Sequence, residues 1–208
     1  MSRSIQDPHA PLSTLLHESG ERRVSPVSEV RELRPRGDLA ERLEAVKTMQ
    51  HPIEAAALCL QAVAQEETFR SSLFSVHDVA TAEAVVVYAT GPEAEGAILS
   101  RDAGDAEPSF TAGCMQKPFL LRYTGTRPRV SRHRFMPALG EVLVAPVMSF
   151  GLCVGTFEIL GRGSRFGEPL ARALGLAAAR FGEHLERLGV VLGFSVRARE
   201  GGYLLRPR

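Results

Sequence analysis

The chain has no tryptophan, three tyrosines and three cysteines in 208 residues, and of its 25 basic residues only Lys47 and Lys117 are lysines. Each shortage excludes something. Cys59, Cys114 and Cys153 are odd in number and widely spaced, with no Cys-x-x-Cys pair. Neither a disulfide framework nor a zinc or dithiol motif is implied, and a reducing compartment is expected. Aromatic residues make up 6% of the chain, too few among the arginines for a single-strand stacking platform. The formal net charge of +1 excludes a globally basic nucleic-acid binder and an acidic, solvating chain. The first eight residues, MSRSIQDP, lack the apolar run of a secretory leader. The longest apolar stretch, Val142 to Leu160, is interrupted by Pro146, Ser149, Gly151, Gly155 and Glu158. It reads as two strands about a turn rather than as a membrane span. His9, His17, His51, His77, His133 and His184 show no metal-ligand spacing, so no metal or cofactor is expected. The reading is a soluble, cytoplasmic protein without membrane insertion.

What is present is 44% apolar residues, enough for one domain with appendages. Residues 1–37, with four prolines, six serines and mixed charges, bury too little apolar surface to offset ordering entropy and are expected to be a disordered tail. Within them Leu12-Ser13-Thr14-Leu15-Leu16 is the one patch able to dock as a helical turn. The domain is expected over residues 38–189, and residues 190–208 form a basic tail carrying Arg197, Arg199, Arg206 and Arg208. Val190–Val196 adds an edge strand or lengthens the preceding helix.

Asp38-Leu39-Ala40-Glu41 has the form of a capping box, followed by Leu39, Leu43 and Val46 on one face. Pro52 suits the first turn of a second helix, whose apolar positions Ile53, Ala57, Leu60 and Ala64 continue to about Arg70. The period then falls to two. Phe74–His77 and Ala84–Tyr88 read as a hairpin, with a third strand at Gly96–Ser100. Residues 101–110 read as an acidic loop, and residues 111–124 as a short helix from Met115, Phe119, Leu120 and Tyr123. Val142–Val147 and Cys153–Ile159 form the strongest strand pair, turning at Ser149-Phe150-Gly151. A long helix runs from Pro169 to just before Gly189, with Leu170, Leu174, Ala177, Phe181, Leu185 and Leu188 as its stripe. Strand pairs with tight turns imply an antiparallel sheet of about five to six strands with helices on its faces, an α+β architecture.

These segments, taken in order, resemble a GAF domain, a small-molecule sensing and dimerisation module of signalling proteins. The resemblance covers about residues 38–189. Pro52–Arg70 is similar to the family's first core helix, and FLLRYTGTRP at 119–128 to the entry of its mid-domain strand. Val142–Val147 with its proline and Val154–Ile159 with its glycine are similar to the paired strands. The helix 168–188 stands where the closing helix does. The Asn-Lys-Phe-Asp-Glu signature of cyclic-nucleotide-binding members is absent, and neither Cys114-Met115 nor Cys153-Val154 matches the Cys-His of bilin attachment. Neither ligand carries over.

Three constellations carry candidate chemistry. Some GAF-fold proteins reduce free methionine sulfoxide with pocket cysteines, and Cys114 at the start of the middle helix is the candidate thiol. Packing is the competing reading for all three cysteines. The glycine loop GRGSRFG at 161–167 precedes a helix, but phenylalanine at 166 breaks a dinucleotide fingerprint, leaving a strand–helix connection. Residues 108–140 carry six basic residues and no acidic one, while residues 93–107 sum to −4. Either this basic stretch recruits an anion or acidic partner, or the two segments cancel each other.

The expected function is therefore a non-enzymatic regulatory or adaptor protein of bacterial-type signalling. No output unit fits in the 208 residues, so action through a protein partner is expected, with a small ligand of unspecified identity bound under the loops. The ligand- or partner-binding residues are Phe110, Cys114, Phe119, Tyr123, Arg129, Arg132, His133 and Phe135. The stripe Leu170, Leu174, Phe181, Leu185 and Leu188 fits packing on the sheet and equally a homodimer seam, which the resemblance favours. A structural scaffold and a methionine sulfoxide reductase-like enzyme are the alternatives.

Overall fold

A computed structural model describes residues 38–66, 69, 71–78, 83–91, 94, 97–98, 101–103, 115–122, 133, 140–161, 166–191 and 206–207. Among the described residues three helices are formed: α1 Leu39–Glu44, continued by a 3-10 turn Ala45–Thr48, α2 Pro52–Ala64 and α3 Glu168–Leu188. Six strands make one sheet: β1 Ser71–Asp78, β2 Glu83–Thr90, β3 Arg101–Ala103, β4 Phe119–Arg122, β5 Glu141–Ser149 and β6 Leu152–Gly161. Every pairing is antiparallel, in the spatial order β3-β2-β1-β6-β5-β4. The chain is α+β. Two short strands, β7 Val190–Val191 and β8 Arg206–Pro207, pair separately.

The caps behave as their chemistry requires. Asp38 accepts a hydrogen bond from the Glu41 amide at 2.9 Å, satisfying one of the unpaired donors of the first turn. Pro52 stands in the opening turn of α2, and Gly189 closes α3 at φ +64°, a conformation that suits glycine. α2 is buried on nearly all sides, with Ala55, Ala56, Ala57 and Ala62 almost wholly inaccessible. Its small side chains let it lie close against α3 and the sheet. α3 is amphipathic: Leu170, Leu174, Ala177, Phe181 and Leu185 face inward, while Arg172, Glu183 and Glu186 do not.

Alternation along the strands separates two faces. Phe74, Val76, Leu143, Ala145, Phe157 and Ile159 join the helices in one cluster. There the rings of Phe74, Phe157 and Phe181 meet at centroid distances of 5.2–5.4 Å, aromatic contacts that add to their area burial. α3 approaches β5 backbone to backbone at Gly182, where an added Cβ would lie 2.0 Å from the Met148 carbonyl oxygen. The other face carries Leu73, Val86, Val142, Val144 and Leu160, packed with Ala94, Ala97, Phe119 and Leu121. Both faces of β5 and β6 are therefore covered.

Four expectations are corrected. Phe119–Arg122 is a strand, not part of a helix. Its apolar run is compatible with either period; Pro118 disfavours a helix running through it, and pairing with Glu141–Val144 decides the matter. The third strand lies at Arg101–Ala103, inside the expected acidic loop, and pairs with Glu83–Val85. Ala97 instead closes a turn, its amide donating to the Ala94 carbonyl at 2.8 Å. α2 ends at Ala64, six residues short of Arg70. The expected tail 1–37 and the segment 192–205 lie outside the described residues.

Candidate functional site

The candidate site is built on the sheet face opposite the helices. Phe157 and Ile159 of β6 turn toward the helices, so Thr156 and Glu158 turn the other way, at the centre of the sheet. Thr156 stands between Ser75 of β1 and Pro146 of β5; Glu158 stands between Leu73 and Val144. Both polar residues are fully buried, as is His133. Glu158 Oε1 accepts from the Thr156 hydroxyl at 3.0 Å, and Oε2 lies 2.6 Å from His133 Nε2. A carboxyl group removed from water needs this kind of compensation, because desolvation of an unpartnered charge costs several kcal/mol. One proton shared between Oε2 and Nε2 satisfies both. The pair thus pins one residue of the 123–139 connection to the middle of the sheet.

Beside this pair lies an unmatched donor. Ser75, opposite Thr156 in the ladder, is wholly buried and its Oγ has no hydrogen-bond partner among the described residues. Ser71, four residues earlier on the same strand face, is in the same state. A buried hydroxyl left unpaired costs about 1–3 kcal/mol, so each is a place where a bound polar group would be stabilising.

Phe119 lies on this face, opposite Val144, which in turn stands opposite Glu158. The structure therefore brings Phe119 and His133 to one face. Phe110, Cys114, Tyr123, Arg129, Arg132 and Phe135 lie outside the described residues. Glu158, Thr156 and Ser75 are site residues that the sequence pattern alone does not point to. The available signal was a lone carboxylate in the apolar run 154–160, at a position alternating with Phe157 and Ile159.

Of the two uses the α3 stripe allows, packing within the chain is the one that the described residues show. Leu170, Leu174, Phe181 and Leu185 are at most 2% exposed within the single chain, because the sheet and α2 already occupy them; only Leu188 is partly accessible. A second copy pairing along α3 would have to use its outer side, where Leu176 is 37% exposed.

The described cysteines sit in different layers. Cys59 is buried on α2 among the helices, and burial pushes its thiol well above the usual range. Cys153 packs with the opposite cluster and its Sγ donates weakly to the Gly155 carbonyl at 3.4 Å. With the sheet between them, they do not form an exchanging dithiol. At the sheet edge, Arg122 Nε donates to Glu141 Oε1 at 3.1 Å, and the Phe166 amide reaches the other oxygen at 3.3 Å. Among the described residues no group of three His, Cys, Asp or Glu side chains is placed to hold a metal ion. No described helix is long and apolar enough to cross a membrane.

No family model and no curated protein matches the chain. Solved structures do. The GAF domain of an Acinetobacter phosphoenolpyruvate-protein phosphotransferase superposes with a TM-score of 0.60 at 12% identity, covering 72% of this chain and 90% of that one. A free methionine-R-sulfoxide reductase from Neisseria meningitidis, solved with its substrate, gives 0.57 at 18% identity over 71% and 86%. The chromophore-binding domain of a bacteriophytochrome from R. palustris gives 0.57 at 10% identity over 72% and 60%. Regulatory and signalling domains predominate among these similar structures, with a reductase beside them. At these identities the likeness establishes architecture alone: this chain has the fold of a GAF domain.

Proposed function

We propose that the chain is a non-enzymatic regulatory or adaptor module that binds a small polar ligand on the sheet face carrying Ser75, Thr156 and Glu158. The observation that carries this reading is the fully buried Glu158–His133 pair set beside the unpartnered Ser75 hydroxyl. A purely structural sheet face is stabilised most simply by apolar side chains, and buried polar groups of this kind need a partner. A ligand offering an acceptor to Ser75 would complete the row.

The same strands connect that face to the helices. Ser75 adjoins Phe74, and Glu158 adjoins Phe157, and both rings bear on Phe181 of α3. A shift of β1 or β6 on binding is transmitted through close-packed rings rather than absorbed. α3 is then the output surface, presented to a protein partner or to a second copy in a homodimer, and ligand binding biases that assembly.

A thermal-shift screen of polar metabolites tests this. Binding at 100 times the dissociation constant adds about 2.7 kcal/mol of stability, and the shift is expected to be lost in Ser75→Val. A shift that persists in Ser75→Val, or no shift with any metabolite alongside a stable captured protein, would replace the sensor with a scaffold.

A further inference from the structure

The tip of the β5–β6 hairpin breaks the rule for its own turn. Phe150 and Gly151 join Ser149 to Leu152, and both have positive φ, +49° and +75°. Such a turn favours Asn-Gly, because a side chain is disfavoured in the left-handed region unless it is short and polar enough to bond locally. Phe150 makes no such bond. Its ring is instead 56% exposed, as is Leu152, more than any other large apolar side chain among the described residues. The tip is also firmly held. The Phe150 amide donates to Glu186 of α3 at 2.5 Å, and at Gly182 the same helix lies directly on the Met148 carbonyl. An aromatic kept in water, in a costly backbone state and on a rigid support, marks a contact that the single chain does not make.

α3 has two flanks. Gly175, Gly182 and Glu186 meet Pro118, Met148 and Phe150, so this flank faces the sheet edge and the tip. Arg180, Glu183 and Arg187 face α1, where with Lys47 they border an open cleft of about 170 Å³ that has Leu43 and Val46 beneath it. The charges there are already engaged: Lys47 with Glu44, Arg180 with Glu183, and Arg187 with the Lys47 carbonyl. The cleft therefore presents hydrocarbon stems under a cationic rim, a seat for an apolar side chain rather than for a free ion. Between the flanks runs an exposed ridge of Arg172, Leu176 and Ala179.

We propose that a second copy of this chain covers the tip. The two copies pack α3 on α3 along the ridge, pointing the same way, and each sets Phe150 into the α1–α3 cleft of the other. The two-fold axis then runs parallel to the helices and brings the sheet-edge flank of one copy against the α1 flank of its partner. Tip and cleft meet at one height, because Gly182 and Glu186 brace the tip and Arg180 to Arg187 border the cleft. An antiparallel pair would set tip against tip and leave both clefts empty. The size fits, since an apolar cavity of about 150 Å³ holds benzene. A ring on the guanidinium rim gains cation–π attraction, and Glu186, carried with the tip, is complementary to that basic rim. The exposed parts of Phe150 and Leu152, about 100 Å² each, fall far short of the ~800 Å² per partner of a stable pair, so the ridge supplies the rest. The sheet separates this interface from Ser75, so it stands or falls apart from the ligand reading.

Two variants of the full-length chain test the proposal: Phe150→Asn removes the knob, and Arg180→Glu spoils the cleft. Asparagine suits the turn, so urea unfolding of the dilute Phe150→Asn protein should be unchanged or improved. In sedimentation velocity the parent should dimerise, and each variant should raise the dimer dissociation constant about a hundredfold, tenfold for each of two lost anchors. Mixing the variants is the decisive arm. In the mixed dimer one intact Phe150 meets one intact cleft, whereas neither variant paired with itself has such a contact. Native mass spectrometry of an equimolar mixture should therefore show the mixed dimer well above the statistical half. A parent that stays monomeric at millimolar concentration would leave the tip to an unrelated partner and overturn the proposal. A dimer indifferent to Phe150→Asn, or a mixed dimer at the statistical half, would overturn it equally.

Discussion

Removing Glu158 tests whether the centre of the sheet holds a polar anchor. In Glu158→Ala the His133 ring, wholly buried and 2.6 Å from the lost oxygen, keeps its polar nitrogen without that partner. Thr156 loses the acceptor it holds at 3.0 Å. Breaking a buried pair from one side costs about 3–5 kcal/mol, a large part of the ~5–15 kcal/mol that stabilises a domain. With a urea slope near 2 kcal/mol per molar, the midpoint should fall by about 2 M. Glu158→Gln keeps a carbonyl for Thr156 and should lose about 1–2 kcal/mol. The double variant Glu158→Leu with His133→Phe removes both members of the ion pair and strands only the Thr156 hydroxyl, so it should lose about 1–3 kcal/mol, less than Glu158→Ala, since apolar replacement of a buried pair is often neutral. Equilibrium urea unfolding of the parent, Glu158→Leu, His133→Phe and the double variant gives the cycle, with Glu158→Ala and Glu158→Gln read beside it. A loss below ~1 kcal/mol for Glu158→Ala, or single effects that simply add, would refute the reasoning.

Gly182→Ala separates helix propensity from packing: propensity alone would add about 1 kcal/mol, but a Cβ 2.0 Å from the Met148 carbonyl should destabilise by more than that, as read by chemical denaturation. His184 carries a pH signature. Its folded pKa is lowered by burial and Arg187, so the unfolded chain takes up its proton first. Its contribution should be fully present above the ordinary histidine range, near pH 6.5, and be lost as pH falls through the lowered value; His184→Phe should flatten that limb of a stability-against-pH curve, and an unchanged slope would contradict the assignment. The Cys59 thiol, buried and pushed up, should resist iodoacetamide in the native protein and react only on unfolding, as peptide mass mapping would show.

The boundaries legible in the sequence were those with local chemistry behind them. Asp38, Pro52 and Gly189 mark helix ends through hydrogen bonding and backbone geometry that involve only near neighbours. The β5–β6 hairpin was readable because its apolar runs are long and broken by one turn. Phe119–Arg122 was not: its strand character comes from the backbone of β5, some 20 residues away in sequence. In the sequence His133 stands out only as part of a basic stretch, whereas in the fold it is buried against Glu158. In the sequence Glu158 reads as an interruption of an apolar run. Its pairing with a residue 25 positions away is a long-range contact that periodicity does not encode. The α3 stripe matched two uses equally, and only the position of the sheet and α2 shows which one consumes it.

The central claim is that the face bearing Ser75, Thr156 and Glu158 holds a ligand whose binding is felt at α3. Native mass spectrometry of the purified chain addresses this most directly, reporting retained ligand and subunit count together. The account predicts a discrete added mass on the parent, absent from Ser75→Val, with a changed distribution of subunits between loaded and empty forms. The bare chain mass throughout, or an added mass retained by Ser75→Val with an unchanged subunit count, would contradict it.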